Sequence, residues 1–134
     1  SFPTRRSSDP LGAIEQAQAL AQTPPPSPDT LEQLGGAWVG EEALAVALYC
    51  VLAIAEPTSA LLAAVNHSGD SDSTGALTGN LLGAAYGPEI LPSRWREAVE
   101  LQETLASLAR RLTDLNQGRA LPDKSPVEGR RAAS

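Results

Sequence analysis

The segment Asp70-Ser71-Asp72-Ser73 has the residue types and spacing best suited to chemistry in this sequence. Two carboxylates one residue apart, followed by a hydroxyl, can present three oxygen atoms to one region if the loop is extended. Oxygen ligands of this kind suit hard cations such as Mg²⁺, Mn²⁺ or Ca²⁺. One interpretation of the segment is therefore a metal-binding site. We call residues 67–72 the acidic loop, and a helix is predicted to begin directly after it.

Two other interpretations compete with the metal-binding one. Because the loop precedes a predicted helix, Asp72 or Ser73 could instead cap the exposed N–H groups of its first turn. The run from Asp70 to Gly75 also matches the first half of an EF-hand calcium loop, which needs a bidentate Glu at its twelfth position. That position is occupied by Leu81, so the calcium loop is disfavoured.

The charge distribution limits the classes of partner. The chain of 134 residues, long enough for one domain, carries a net charge of −6 and has no Lys or Arg between Arg6 and Arg94. A nucleic-acid backbone demands a basic patch, so a nucleic-acid partner is not expected. The acidic stretch is interpreted either as a solvated surface or as carboxylates that face a bound cation.

Composition also predicts the setting of the protein. Cys50 is the single cysteine, so no internal disulfide is possible and a reduced, cytoplasmic location is expected. The longest apolar run, Ala43 to Ala55, is shorter than the about 20 residues that a membrane span needs. We therefore expect no membrane association.

Apolar residues recur at helical spacing along the chain, and no useful strand alternation is present, which predicts an all-α fold. Thr30 to Leu34 is expected to form one short turn. We expect Thr58 to cap the helix that follows Pro57. The predicted helices are Leu11–Gln22, Glu41–Glu56, Ser59–Asn66, Ser73–Tyr86 and Ser93–Asn116.

Three features of these helices predict how they pack. A glycine ridge, Gly75, Gly79, Gly83 and Gly87, runs along one face of Ser73–Tyr86. Since each interior glycine costs about 1 kcal/mol against alanine, the ridge predicts the close approach of another backbone. We therefore expect this helix to be the most enclosed one. Cys50 and Trp95 are interpreted as packing residues. Core or partner-helix packing is also predicted for a leucine stripe, formed by Leu101, Leu105, Leu108, Leu112 and Leu115.

Two longer motifs, the second of which contains Asp70 to Ser73 and the glycine ridge, point to a family. The first is GAWVGEEALA, at residues 36–45, and the second is AVNHSGDSDSTGALTGNLLGAAYG, at residues 64–87. In this order they resemble the C-terminal half of the ADP-ribosylglycohydrolase family, to which the dinitrogenase-reductase-activating glycohydrolase belongs. The resemblance extends over about Leu11 to Asn116.

The resemblance implies an all-α helical bundle around two Mg²⁺ or Mn²⁺ ions. It also implies hydrolysis of the bond that joins ADP-ribose to a protein side chain or small molecule. The implied metal ligands are Asp70, Asp72 and Ser73, with Thr74 as a possible substitute for Ser73.

The resemblance further implies a substrate-binding set, which consists of Gly36, Trp38, His67, Ser68 and Gly69. Trp38 is interpreted either as core packing or as a lining of the ADP-ribose cleft. His67 either fixes the loop by a hydrogen bond or contacts a phosphate or ribose of the substrate. The glycines Gly36 and Gly40 could let backbone N–H groups approach a phosphate.

The sequence departs from the family pattern in one important respect. The family's N-terminal ligands, a Thr-Asp-Asp cluster, and its acidic residue near the scissile bond are not found in these 134 residues. We therefore expect an incomplete bundle that is inactive by itself, with the catalytic residue in an N-terminal half. The alternative is a non-catalytic relative of the same fold, either crystallin-like or ADP-ribose-binding.

Both ends of the sequence are expected to lie outside the packed body. Residues 1–9 resemble a translated sequencing adapter and are interpreted as an artefact. Residues 10–120 are assigned to the C-terminal part of the glycohydrolase domain. Residues 121–134 are rich in Pro, Gly and charge, which predicts a disordered tail.

Overall fold

The computed structural model describes residues 9–23 and 26–119, and the regular structure in these ranges is entirely helical. The predicted all-α class is thereby confirmed. The α helices are α1 (Pro10–Ala21), α2 (Pro28–Gln33), α3 (Gly40–Ala53), α4 (Pro57–Val65), α5 (Ser71–Tyr86), α6 (Ser93–Ala98) and α7 (Gln102–Asn116), with a short 3-10 helix at Pro88–Ile90. The described residues divide into two compact units, with the boundary between Ser93 and Arg94.

Helix α3 is the centre of the first unit, because α1, α4 and α5 all pack against it. Its side chains Val46, Tyr49 and Cys50 are fully or almost fully buried and meet Leu31 and Leu34 from the α2 region. The prediction that the Ser73–Tyr86 helix is the most enclosed was wrong. Six residues of α3 are buried, against three of α5. Alanines on several faces of α3 allow helices to approach it from different sides.

The glycine ridge of α5 has a narrower role than predicted. A methyl group at Gly75 would press against the side chain of Val65 in α4, and one at Gly79 would reach Leu61 at an ordinary contact distance of 3.8 Å. At Gly83 it would meet nothing within 4 Å. The ridge therefore makes room for a side chain of α4 at Gly75, and no backbone of another helix approaches it at Gly75, Gly79 or Gly83.

The thiol of Cys50 lies within the core of the first unit. Burial disfavours the thiolate and raises the pKa of Cys50 to about 12. The thiol is therefore protonated at neutral pH, and its burial in the core agrees with the interpretation of Cys50 as a packing residue.

In the second unit, the predicted single helix Ser93–Asn116 was wrong, because the chain breaks between α6 and α7. Leu101 has a φ of 59° there, in the left-handed region. That conformation costs a leucine roughly 1–2 kcal/mol. Leucine is therefore not a residue expected in the left-handed region, and the sequence does not predict the break. The guanidinium of Arg94 stands 6.0 Å from the ring centroid of Trp95.

The leucine stripe is exposed in the described structure. Its five side chains are between 48% and 67% exposed. Packing of this stripe in the core was therefore predicted wrongly, whereas packing against a partner helix stays a prediction.

Helix α4 begins with a side-chain cap that differs from the predicted one. The carboxylate of Glu56 accepts hydrogen bonds from the backbone N–H of Thr58 at 2.9 Å and of Ser59 at 2.6 Å. It also accepts one from the Ser59 hydroxyl at 2.7 Å. Glu56, and not Thr58, is therefore the cap. The Ser59 hydroxyl, followed by the two N–H groups, lowers the pKa of Glu56 to about 2.

This cap predicts a pH dependence of stability. Since the pKa of Glu56 lies near 4.5 in the unfolded chain and about 2 in the folded one, its contribution is complete above about pH 4.5. It is lost as the pH falls through about 2. We expect the Glu56→Gln variant to be less stable than the wild type at neutral pH, with a difference that shrinks below about pH 4.5. Urea unfolding across this pH range measures it, and a constant difference would contradict the prediction.

Two further findings concern the ends of the chain and membranes. Most of the predicted artefact and the whole of the predicted tail lie outside the described residues. Asp9, the last residue of the predicted artefact, caps α1 by accepting the Gly12 N–H at 3.0 Å.

Within residues 9–23 and 26–119, none of the helices combines the length and apolar character required to cross a bilayer.

Candidate functional site

The acidic loop is held against the segment that connects α2 to α3. The backbone N–H of Asp70 donates to the carbonyl of Gly36 at 2.9 Å. Gly69 lies so close to Gly36 that a Cβ at Gly69 would collide with the Gly36 carbonyl. The two motifs of the sequence therefore meet in space, and the contact depends on the absence of a side chain at Gly69.

A second attachment of the loop comes from α2. The carboxylate of Glu32 accepts the Ser68 N–H at 3.1 Å and the Ser68 hydroxyl at 2.6 Å. The hydroxyl, followed by the N–H, lowers the pKa of Glu32. Sequence reasoning missed this role of Glu32. Glu32 belongs to the acidic stretch between Arg6 and Arg94, and a partner 36 residues away leaves no local signal.

A third attachment joins the loop to α4 and α5 through His67. The Gly69 N–H donates to Nδ1 of His67 at 3.0 Å, so the ring proton must lie on Nε2. Nε2 then donates to the Thr74 hydroxyl at 2.9 Å, and that hydroxyl donates to the carbonyl of Ala64 at 2.5 Å. The imidazole thus uses both nitrogens within the protein. The Thr74 side chain is fully buried and its hydroxyl faces the interior.

Asp70 caps the N-terminus of α5. Its carboxylate accepts the Ser73 N–H at 3.4 Å and the Ser73 hydroxyl at 2.8 Å. The sequence-based expectation that Asp72 or Ser73 provides the cap was therefore wrong. Interaction with the neighbouring Asp72 carboxyl, followed by the hydrogen bond from the Ser73 hydroxyl, lowers the pKa of Asp70. Asp72 is exposed in the first turn of α5.

The oxygen atoms brought together here suit a hard cation, but they form only part of a coordination shell. Asp70, Asp72 and Ser73 offer two carboxylates and a hydroxyl, whereas an octahedral ion takes about six oxygens. Among residues 9–23 and 26–119, no group of three or more His, Cys, Asp or Glu side chains is placed to hold a metal ion. The donor chemistry fits Mg²⁺ or Mn²⁺, and further ligands are required.

Trp38 lies two positions after Gly36, the residue on which the acidic loop packs, and is 74% exposed. The interpretation of Trp38 as a core residue was therefore wrong. The preceding Ala37 has a φ of 56° and is 2% exposed, so the turn buries the methyl group and leaves the indole outside. The indole lies over Gly36, where a Cβ would meet its ring nitrogen.

The predicted site residues thus fall into three groups. Asp70 and Ser73 share a hydrogen bond, and Asp72 lies beside them, whereas Thr74 faces the interior. Gly36 contacts both Trp38 and Gly69. The remaining two, His67 and Ser68, are held by Thr74 and Glu32.

Comparison with known proteins adds the following findings. The sequence model of the ADP-ribosylglycohydrolase family matches residues 3–122. The chain is similar to the ADP-ribosyl-[dinitrogen reductase] glycohydrolase of Rhodospirillum rubrum, with 46% identity over 44 residues. These residues make up 33% of this chain and 15% of the relative, so the match spans a small part of that protein. No solved structure was found to match.

Proposed function

Because this chain belongs to the ADP-ribosylglycohydrolase family, we propose that it supplies the Asp70-Ser71-Asp72-Ser73 part of a divalent-cation site in an ADP-ribose-releasing hydrolase. The observation that carries the proposal is the acidic loop itself. Bonds to Gly36, Glu32 and Thr74 hold the loop on three sides, and Asp72 remains exposed at the start of α5. A loop ordered in this way presents its carboxylates without a large ordering cost when an ion arrives.

Asp70, Asp72 and Ser73 would hold Mg²⁺ or Mn²⁺ in this proposal. Bound ions of this kind orient substrate oxygens and polarise a water molecule for hydrolysis. The remaining ligands would come from the Thr-Asp-Asp cluster of the family, which these 134 residues do not contain. Thr74 contributes by fixing His67 and the carbonyl of Ala64, since its hydroxyl is already engaged there.

Trp38 is proposed to contact the ADP-ribose part of the substrate. Its exposed indole offers a flat aromatic face next to Gly36, on which the acidic loop packs, and such faces stack on nucleotide bases. The Rhodospirillum rubrum relative is named for action on ADP-ribosyl-dinitrogen reductase, a protein. An ADP-ribosylated protein side chain is therefore the first substrate class to test, and an ADP-ribosylated small molecule is the second.

The proposal is tested by measuring ADP-ribose release and Mn²⁺ binding. The chain is assayed alone and joined to a region that carries the Thr-Asp-Asp cluster, with ADP-ribosylated protein as substrate. We expect weak Mn²⁺ binding and no release by the chain alone. Tight binding and Mn²⁺-dependent release are expected for the joined protein, because an ion then gains enough oxygens to replace its water shell.

Substitution of Trp38 refines the same test. In the joined protein, Trp38→Ala is expected to raise KM roughly tenfold with little change in kcat, because a lost stacking contact costs about 1–3 kcal/mol. Tyr86→Ala is the matched control, since Tyr86 is an exposed aromatic residue (65%) at the far end of α5. Binding of ADP-ribose without any release, with or without Mn²⁺, would instead favour a non-catalytic relative of the family.

A further inference from the structure

Glu32 contacts the acidic loop from outside both motifs of the sequence. It lies in α2, and its two carboxylate oxygens each accept one hydrogen bond from Ser68, at 3.1 Å from the backbone N–H and 2.6 Å from the hydroxyl. Two bonds to one ionised carboxylate fix direction as well as distance, which a single bond does not. The contact therefore restricts the rotation of the chain at Ser68.

The position of Ser68 determines what this restriction achieves. The residue lies between His67, which is fixed to Thr74, and Gly69, which packs on the Gly36 backbone. Asp70 follows directly and donates its N–H to Gly36 at 2.9 Å. A clamp on Ser68 therefore holds the acidic loop on the side that faces α2, while Asp72 remains exposed.

We propose that Glu32 is a positioning residue, which holds the acidic loop through Ser68 in the arrangement that presents Asp70 and Asp72 to a divalent cation. This inference rests on the proposed function for the identity of the ligand. Glu32 itself does not join the shell, because both of its oxygens are directed to Ser68. Its role is comparable to that of the hydrogen-bonding partners behind metal ligands, whose loss typically costs 10–100-fold in affinity.

The chemistry of the clamp distinguishes three substitutions. Glu32→Ala removes both acceptors. Glu32→Gln keeps one carbonyl oxygen for the Ser68 N–H, and its amide N–H can donate to the Ser68 hydroxyl, so the clamp is retained without the charge. Glu32→Asp keeps the charge, but its side chain is one methylene shorter and cannot reach both groups at the observed geometry. The three variants therefore separate the effect of the hydrogen-bond geometry from the effect of the charge of Glu32.

The first experiment measures hydrogen exchange of the Asp70 amide in the metal-free chain. We expect Glu32→Ala and Glu32→Asp to lower its protection roughly tenfold, whereas Glu32→Gln stays near the wild type. Gln33→Ala is the matched control, because Gln33 is exposed on the same helix and its side-chain amide donates to the Asp29 carbonyl. Unchanged protection in Glu32→Ala, or equal losses in Glu32→Ala and Glu32→Gln, would overturn the proposal.

The second experiment titrates Mn²⁺ into the protein joined to the Thr-Asp-Asp region. We expect Glu32→Ala to weaken binding by roughly tenfold or more and Glu32→Gln to restore most of it. Full Mn²⁺ affinity in Glu32→Ala would show that the clamp has no positioning role, even if exchange is faster. If no variant, including the wild type, binds Mn²⁺, the proposed function fails. The exchange result then still decides whether Glu32 holds the loop.

Discussion

Asp72→Asn is expected to weaken Mn²⁺ binding and ADP-ribose release by more than about a hundredfold, while thermal unfolding stays unchanged. Loss of a residue behind a metal ligand already costs 10–100-fold, and loss of a ligand itself should exceed that. Stability is not expected to change, because Asp72 is exposed and caps no backbone group of α5. The measurements are Mn²⁺ titration and release of ADP-ribose by the protein joined to the Thr-Asp-Asp region.

Asp70 requires a pair of variants, because it caps α5 in addition to its proposed role as a ligand. Asparagine is as good an N-cap as aspartate, whereas alanine removes the cap. Asp70→Asn should therefore lose Mn²⁺ affinity with little change in the melting temperature, and Asp70→Ala should lose affinity and also melt a few degrees lower. Retention of Mn²⁺ binding and activity in both Asp72→Asn and Asp70→Asn would show that these carboxylates are not ligands.

Gly69→Ala is expected to lower the free energy of unfolding by about 2 kcal/mol or more. The added methyl group would collide with the backbone carbonyl of Gly36, and a backbone cannot move aside as a side-chain end can. Forcing extra atoms into a packed site typically costs 1–3 kcal/mol. Separation of the two segments would also break the bond from the Asp70 N–H to Gly36. Urea unfolding measures the change, and the Asp70 amide should lose its exchange protection.

The same substitution at another glycine provides the control. Gly83 lies inside α5, and a Cβ there would meet nothing within 4 Å. Gly83→Ala should therefore stabilise the protein by about 0.5–1 kcal/mol through the better helix propensity of alanine. Opposite signs for the two variants are the expected outcome. A stability for Gly69→Ala equal to that of the wild type would mean that the loop does not pack on Gly36.

Local patterns in the sequence determined much of this protein. Apolar spacing marked the helices of the first unit to within a few residues, because amphipathic periodicity is a property of neighbouring positions. The acidic residues at the start of α5 are also visible in the sequence, because Asp70 and Asp72 lie in one short segment. The packing role of Cys50 followed from its place in an apolar helix, and the core contacts of the thiol agree with it.

The tertiary structure alone decided which distant residues meet. The clamp between Glu32 and Ser68 and the contact between Gly36 and Gly69 join segments separated by more than thirty positions, where spacing carries no signal. The exposure of Trp38 depends on the left-handed turn at Ala37, and an alanine at this position does not predict a positive φ. Helix α3, and not α5, became central because packing depends on how many neighbours reach a helix. The buried alanines of α3 let neighbouring helices approach on several sides. The glycines of α5, in contrast, lie close to side chains of α4 only at Gly75 and Gly79.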